Sequence, residues 1–468
     1  MQGDTICAIA TATGGAIGVI RVSGEDAISI TSRIFSSIRN ISLDELKSHS
    51  HTFGKILSED DEIIDEVIVS VFRSPHSYTG ENSTEISCHG STYILQQVIR
   101  LLINNGCRLA EPGEFTKRAF LNGKMDLSQA EAVADLISAS TKASHDIAIS
   151  QLKGKFSNEL ATLRKQLLNL TSLLELELDF SDHEDLEFAD RTELLALANK
   201  VNDHIGNLIN SFETGQAIKN GIPIAIIGET NVGKSTLLNQ LLKEDRAIVS
   251  DIHGTTRDTI EDVIEINNIQ FRFIDTAGIR QTTDEIEQIG IERTYQAIKR
   301  ARVVLWLINE WPKEDIITGL NKHLEDKKLI IVYNKSDILS DNQRLLHKQY
   351  EETIVQKQLL PIPFLSIEIS AKNGTNIDSL RDVILNVADI PEINGDTTIV
   401  TSIRHYESLS NARQNLNRVI TGLHANTSGD LIAEDLRLVL SDLAEITGGV
   451  ITPQDTLNSI FEHFCIGK

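Results

Sequence analysis

The sequence predicts a multidomain protein of mixed α/β and α class: an N-terminal α+β domain, a helical bundle, and a P-loop nucleotide-binding domain inserted into that bundle. Three observations carry this prediction. The stretch Gly228-Glu229-Thr230-Asn231-Val232-Gly233-Lys234-Ser235-Thr236 lies between the apolar run 222–227 and the apolar-rich run 237–242, the strand-to-helix context that a phosphate-binding loop needs. Helical stripes flank that module on both sides, and short β-rich runs crowd the first 120 residues. The expected spans are 1–120 for the α+β domain, 121–217 and 385–468 for the two parts of the helical domain, and 218–384 for the insert.

In the first span the runs 6–10, 17–22, 66–72 and 85–89 read as strands, and 27–35 and 92–104 as amphipathic helices. Pro112-Gly113 closes the domain. Leu152, Phe156, Leu160, Leu163, Leu167, Leu170, Leu174 and Leu178 then step by fours and threes through one stripe, which predicts a long helix packed along one seam. A second stripe, Leu194, Leu197, Val201, Ile205, Leu208 and Phe212, follows the acidic connector 179–187. Beyond the insert, whose last helix carries Leu380, Val383 and Ile384, the stripes resume with Leu409, Ala412, Leu416, Val419 and Leu423, and with Leu436, Leu440, Leu443 and Ile446. One helical domain built from both flanks accounts for these stripes; two separate small bundles are the alternative.

The chemistry of the insert follows from its loops. Gly228 and Gly233 let the backbone curl so that its N–H groups meet phosphate oxygens, Lys234 reaches the outer phosphates, and the Ser235 hydroxyl is placed for Mg²⁺. Asp275-Thr276-Ala277-Gly278 follows the strand 269–274, where a carboxylate serves the Mg²⁺ shell and a glycine N–H senses the γ-phosphate. Asn334-Lys335-Ser336-Asp337 and Ser370-Ala371-Lys372 each follow a strand. The Asp337 carboxylate accepts two hydrogen bonds from guanine N1–H and its 2-amino group, which adenine cannot supply. GTP is therefore the expected nucleotide, contacted by Asn231, Val232, Gly233, Lys234, Ser235, Thr236, Asp275, Thr276, Ala277, Gly278, Asn334, Lys335, Asp337, Ser370, Ala371 and Lys372.

Composition bounds the rest. The net charge of −23 over 468 residues argues against broad coating of nucleic acid, so any RNA contact is expected to be local or shared with a partner. The four cysteines, at 7, 88, 107 and 465, make neither a CxxC nor a metal-ligand spacing. Met1-Gln2-Gly3-Asp4 lacks the basic start of a signal peptide, and no apolar run reaches membrane-span length. The expectation is a soluble, cytoplasmic protein with no membrane association.

The four nucleotide motifs, the stretch Gly254-Thr255-Thr256-Arg257-Asp258, the runs Ile20-Arg21-Val22-Ser23-Gly24 and Glu111-Pro112-Gly113-Glu114-Phe115-Thr116, and the end Phe464-Cys465-Ile466-Gly467-Lys468 together resemble the MnmE (TrmE) family of tRNA-modification GTPases. The resemblance spans the whole chain. It implies a folate-binding-like N-terminal domain and a Ras-like P-loop GTPase domain in a cytosolic homodimer. With the flavoprotein MnmG, in a heterotetramer, such a protein installs an aminomethyl or carboxymethylaminomethyl group on the wobble uridine of tRNA. The one-carbon donor it implies is tetrahydrofolate-borne, as 5-formyltetrahydrofolate or 5,10-methylenetetrahydrofolate. The alternative, from a different functional class, is a GTP-switched assembly or ribosome-associated factor without modification chemistry.

The residues sharpen this. Ras-like proteins place a water-orienting glutamine just after the Asp-x-x-Gly motif, but that position here is the apolar Ile279. The acidic stretch 283–290 follows, and the resemblance singles out Glu287 as the catalytic residue, leaving Asp284 and Glu285 as solvated surface. The Asn231 carboxamide can coordinate a monovalent cation beside the β- and γ-phosphates, or simply stabilise its loop. The resemblance makes that cation K⁺, held by Asn231, Ser250, Ile252 and Thr255, with Thr256 joining Ser235 on Mg²⁺. It also adds Ser250, Asp251, Ile252, His253, Gly254, Thr255 and Thr256 to the nucleotide contacts.

Arg21, Glu85 and Lys124 are, by themselves, equally readable as surface charges; the resemblance assigns them, with Lys468, to the folate. The first loop departs from the family pattern: the family usually has Pro-Pro-Gly-Arg near it, whereas this chain reads Thr11-Ala12-Thr13-Gly14-Gly15 in a loop one residue shorter. Finally, Leu457, Ile460, Phe461 and Phe464 form an amphipathic stretch expected to dock the end of the chain against the bundle. Cys465 then has two readings, a small buried apolar residue or a thiol near the one-carbon unit.

Overall fold

The computed structural model of the chain describes residues 3–179, 191–244, 262–274, 287–312, 314–360, 362–389, 398–425 and 427–449, together with 457, 460–462, 464 and 467. These divide into two compact units: Met1–Ile137 with Ile149–Asn202 and Ser408–Lys468, and Ser138–Ala148 with Asp203–Glu407.

The N-terminal part of the first unit is a seven-stranded sheet. Its strands are β1 (Ile6–Ile9), β2 (Ile17–Ser23), β3 (Phe35–Ser37), β4 (Ser50–Leu57), β5 (Ile63–Phe72), β6 (Ser83–His89) and β7 (Arg108–Leu109), in the spatial order β3-β4-β5-β6-β2-β1-β7. All neighbours are antiparallel except β1 with β7. Helices α1 (Ala27–Ile34) and α2 (Thr92–Asn104) share a core with one face, Ile28, Ile30, Leu95 and Val98 joining Ile20, Val22, Val69 and Ile86. Sequence periodicity does not reveal β4, because its buried positions are Thr52, Gly54 and Ile56 while Phe53 is 46% exposed. The usual apolar-in pattern is inverted there. Gly54 is small because the Phe35 ring fills the space its side chain would need.

Helices α3 (Glu114–Leu121), α4 (Leu127–Ser138), α5 (Lys142–Leu152), α6 (Lys155–Asp179) and α7 (Arg191–Asn220) follow. The stripe expected to run unbroken from Leu152 is interrupted. Gly154 adopts φ +79° and ends α5, and Gln129 Nε2 donates to the Leu152 carbonyl at the break. From Phe156 onward the stripe holds, with Phe156, Leu160, Leu163, Leu167, Leu170 and Leu174 all buried.

In the second unit, β8 (Ile222–Ile227), α8 (Lys234–Glu244), β9 (Asp262–Ile266), β10 (Ile269–Phe273), α9 (Glu287–Arg300), β11 (Val303–Ile308), α10 (Glu314–Leu324), β12 (Lys328–Tyr333), α11 (Asp341–Gln356), β13 (Phe364–Glu368) and α12 (Ile377–Ala388) alternate as a Ras-like α/β domain. The sheet order is β13-β12-β11-β8-β10-β9, parallel except for the β9–β10 hairpin. The central β11, Val-Val-Leu-Trp-Leu-Ile, is buried throughout, as a strand covered on both faces must be.

The two ends of this insert lie side by side. Phe212 stacks on Tyr406 at 4.5 Å, Gln216 donates to the Thr401 carbonyl at 2.7 Å, and the backbone at Gly215 lies against Val400 so closely that a Cβ would collide. Helices α13 (Ile403–His424) and α14 (Gly429–Thr447) then return the chain to the first unit, where α14 packs along α6. The bundle thus draws on helices from both sides of the inserted α/β domain. Leu409, Ala412, Leu416, Val419 and Leu423 of α13 are buried as their stripe predicts, whereas in α14 Val439, with Leu436, Leu443 and Ile446, takes the buried position expected of Leu440.

Candidate functional site

The phosphate loop owes its path to backbone angles that favour particular residues. Gly228 has φ +145° and Gly233 φ +103°, and a Cβ would strike the Leu307 carbonyl in the first case and the Asn334 amide in the second. Asn231 stands in the left-handed region at φ +62°, which asparagine tolerates better than most residues. Lys234, the first residue of α8, turns its ammonium back onto the loop, donating to the carbonyls of Gly228 and Glu229 at 2.7 Å each. Burial pushes the Lys234 ammonium below its ordinary value, with Glu229 acting in the opposite direction.

Three loops are stapled together by one side chain. Asn334, 3% exposed, donates through Nδ2 to the Val232 carbonyl at 2.7 Å and accepts through Oδ1 from the Ala371 N–H at 3.0 Å. It thus fixes the loops after β12 and β13 to the phosphate loop. The Ser370 hydroxyl donates to Asp337 Oδ1 at 2.6 Å, and this bond holds the carboxyl below the usual carboxylate range. A carboxylate so oriented, beside Lys335 at φ +63°, is a ready acceptor for two ring-edge donors of guanine. Of the expected nucleotide contacts, Asn231, Val232, Gly233, Asn334, Lys335, Asp337, Ser370, Ala371 and Lys372 lie on the loops at the C-terminal ends of β8, β12 and β13, and Lys234, Ser235 and Thr236 in the first turn of α8 that follows β8. That edge of a doubly wound sheet is where such folds bind ligands.

Ser250, Asp251, Ile252, His253, Gly254, Thr255, Thr256, Asp275, Thr276, Ala277 and Gly278 lie outside the described residues, as do Cys465 and Lys468. Glu287 is the first residue of α9. Among the described residues no cluster of three or more His, Cys, Asp or Glu could hold a metal ion. The phosphate loop and the helix after it carry a carboxamide oxygen on Asn231 and a hydroxyl on Ser235, oxygen donors of the kind that Mg²⁺ takes together with phosphates.

A second constellation lies in the N-terminal sheet. Arg21 on β2 and Glu85 on β6 are register partners, joined by Nε to Oε1 at 3.0 Å and Nη2 to Oε1 at 2.9 Å. The Arg21 guanidinium also lies over the rings of Tyr78 and Phe115, at 5.3 and 5.7 Å. Tyr78 is tied to α3 through Thr116 at 2.8 Å, and burial pushes its phenol up. Lys124 donates to the Pro75 carbonyl at 3.0 Å and its stem packs on Gly80, so it belongs to the loop that carries Tyr78. The structure therefore pairs Arg21 with Glu85 and sets Lys124 on the loop whose Tyr78 lies against Arg21.

Sequence reasoning missed Tyr78 and the ionic frame behind it. Arg118, with a side chain 10% exposed, reaches Asp4 Oδ1 at 2.7 Å, Glu114 Oε1 at 3.0 Å and Glu81 at 3.3 Å, while Arg108 engages Asp4 and Glu114 at 2.7 and 2.6 Å. These partners are separated by up to 114 residues in the chain, and no local pattern marks them. The C-terminal stretch also docks here. Leu457, Phe461 and Phe464 share a core with Leu127 and Ala130 of α4, Gly113 is in contact with Phe461 and Phe464, and Gly467 rests on Ile9 and Ala10 so closely that a Cβ would collide. The end of the chain thus returns to the N-terminal sheet.

Comparison with known proteins agrees with this layout. A family model described as the MnmE helical domain matches residues 127–465, and one described as the GTP-binding protein TrmE N-terminus matches residues 5–124. Among curated relatives, the tRNA modification GTPase MnmE of Bacteroides thetaiotaomicron is 55% identical, with all of both chains covered. That of Phocaeicola vulgatus is 53% identical over 99% of each chain, and that of Flavobacterium johnsoniae 51% identical over 99% of each.

Proposed function

The chain belongs to the MnmE family of tRNA-modification GTPases, and from that premise we propose that it is the GTP-hydrolysing component of a two-protein enzyme acting on the wobble uridine. With the flavoprotein MnmG, in a heterotetramer, it adds an aminomethyl or carboxymethylaminomethyl group at uridine C5, using a tetrahydrofolate one-carbon unit. The observation that carries this reading is the coexistence in one chain of two sites: the Asn334-stapled nucleotide loops and the Arg21–Glu85–Tyr78 cradle of the N-terminal sheet.

In the nucleotide site Lys234 and the loop N–H groups hold the phosphates, and Asp337 selects guanine. Mg²⁺, held by Ser235 and Thr256, and K⁺, held by Asn231, Ser250, Ile252 and Thr255, would supply positive charge where the transferring phosphoryl group needs it. Glu287 orients the attacking water in place of the absent glutamine.

In the N-terminal site Arg21, Glu85 and Lys124, with Lys468 from the chain end, bind the folate. The contact of Gly467 with Ile9 and Ala10 supports that role for the tail, since the chain end then lies at this sheet. Homodimerisation through the N-terminal domain is supported by the apolar side chains that its sheet leaves exposed, Ile17, Phe53 and Ile68. The division into 1–120, 121–217, 218–384 and 385–468 and a cytoplasmic location belong to the same reading. Among the described residues no helix is long and apolar enough to cross a membrane.

The decisive experiment is nucleoside analysis of tRNA from cells lacking the gene. The C5-modified wobble uridines should disappear and return with the wild-type gene, and should not return with a copy lacking Cys465 to Lys468. Unchanged nucleosides in the deletion strain would defeat the reading.

A further inference from the structure

One corner of the nucleotide-binding domain runs against the charge of the chain, in which 67 carboxylates face 44 lysines and arginines. The last turns of α9 and α10 carry Lys299, Arg300 and Lys322, and Arg302, Lys327 and Lys328 stand at the starts of β11 and β12. Bonds draw these segments together. Lys327 Nζ donates to the Lys299 carbonyl and the Lys328 N–H to the Arg302 carbonyl, both at 3.0 Å, while Tyr295 stacks on His323 at 4.3 Å across the two helix ends. Lys299, Arg300, Lys322 and Lys328 are exposed, and Arg302 and Lys327 are half-buried. The segments 294–304 and 320–330 hold these six cations and two carboxylates, Glu325 and Asp326.

Local stability accounts for part of the cluster. Cations favour the last turn of a helix, which covers Lys299, Arg300 and Lys322, and Lys327 through its bond to the α9 carbonyl. It does not cover Arg302 and Lys328, which stand at the starts of adjacent strands rather than in a helix turn. On the same domain Arg344 pairs with Glu368 and Lys357 with Glu314, whereas among the described residues Lys299, Arg302, Lys322, Lys327 and Lys328 have no carboxylate partner. An unneutralised group of this kind fits a polyanion. A membrane surface is the poorer match, because basic segments that lie on lipid also bury Trp, Phe or Leu, and among the described residues of 294–304 and 320–330 no large apolar side chain is exposed. A nucleic-acid backbone asks only for cations near its phosphates. The corner lies at the N-terminal ends of β11 and β12, a strand length of about 20 Å from the nucleotide loops at the other end of the sheet, so it can be altered without touching the GTP site.

We propose that this corner is a docking surface for the phosphate backbone of tRNA. The inference rests on the reading of the chain as part of a tRNA-modifying enzyme. Lys299, Lys322 and Lys328 supply point charges, and Arg302, whose planar fork can meet two phosphate oxygens, supplies the more directional contact. Phosphate contacts fix position and carry no sequence information, so the corner holds the substrate without reading its bases. A net charge of −23 confines such a contact to a patch of this kind.

The test titrates tRNA into the complex of the full chain with its flavoprotein partner over a range of salt. Lys299→Gln, Lys322→Gln and Lys328→Gln made together should weaken tRNA binding at least about tenfold at low salt and lower the slope of log affinity against log salt by roughly 2 to 3. GTP hydrolysis without tRNA and assembly with the flavoprotein should stay at wild-type levels, and Lys299→Arg, Lys322→Arg and Lys328→Arg together should keep the tRNA affinity. A Gln triple that binds tRNA as the wild type does overturns the patch. So does an equal loss in a control carrying Lys153→Gln, Lys200→Gln and Lys348→Gln, since net charge alone would then be the cause. Loss of flavoprotein affinity in place of tRNA affinity would make the corner a protein interface and overturn the RNA assignment. A wild-type complex that binds no tRNA overturns the tRNA reading and the patch with it, and that arm is read before any variant.

Discussion

The nucleotide loops and the N-terminal cradle are built by opposite means, the first across the C-terminal ends of strands, the second on a pair of inner strands, β2 and β6. The nucleotide site is made largely of backbone: positive-φ glycines, N–H groups and one asparagine stapling adjacent loops. The cradle is made of side chains: Arg21 on Glu85, Tyr78 beneath the guanidinium, and behind them the frame of Asp4, Arg108, Glu114, Arg118 and Glu81. A backbone site depends on local sequence and tolerates change elsewhere. A side-chain site depends on pairs far apart in the chain and fails when one charge loses its partner.

That contrast can be broken most sharply at Glu287. Glu287→Ala should lower GTP hydrolysis roughly 10² to 10⁴-fold with GTP affinity and folate affinity nearly unchanged, as read by single-turnover kinetics against nucleotide binding; parallel losses in rate and affinity would mean a folding defect. Next in size is Arg118→Ala. It takes one cation from three carboxylates, of which Asp4 and Glu114 keep Arg108 and Glu81 keeps the Ser23 hydroxyl, and should destabilise the N-terminal unit by roughly 1.5–3 kcal/mol in denaturant unfolding while GTP binding by the P-loop domain persists.

Asp337→Asn should cost about 1.5–3 kcal/mol of GTP affinity and shift preference towards xanthosine triphosphate, measured by competition. Exchange of K⁺ for Na⁺ at constant ionic strength should slow hydrolysis several-fold or more, and Asn231→Ala should erase the difference; indifference of the wild type to the ion would remove the K⁺ assignment.

The smallest effect concerns acid. Burial pushes the Glu114 carboxyl up, but Arg108, the Glu111 N–H and Arg118 outweigh it and hold it below its ordinary 4.5; Asp4, likewise pushed up by burial, is held by Arg108 and Arg118 below 3.8. Groups with depressed folded values contribute stability that is complete above those ordinary values and lost as pH falls through the folded ones. The N-terminal unit should therefore resist acid to below about pH 4, and its acid midpoint should rise in Arg118→Ala, as far-ultraviolet circular dichroism would show.

The same contrast decides what could be read beforehand. The P-loop, Asp337 and Ser370 declare themselves through residue type and spacing because their geometry is set within a few residues. The helical stripes were legible through period alone, except where Gly154 ended α5 and where Val439 displaced Leu440. β4 escaped because its inward positions are small or polar. Tyr78, Glu81 and Arg118 escaped because partners 37 to 114 residues apart become neighbours only through the sheet. Arg21, Glu85 and Lys124 were reached only by resemblance.

The closure of the insert upon itself, with Phe212 on Tyr406 and Gly215 against Val400, carries an evolutionary corollary. To the helices that receive it, everything between residues 215 and 400 amounts to a loop whose ends already touch, so its internal length adds little to the entropy of joining the flanks. A guest attached in this way can lengthen, shorten or be replaced without its host relearning how to fold. Duplication and grafting of a nucleotide-driven engine into an unrelated bundle then becomes a change of cargo at a fixed socket.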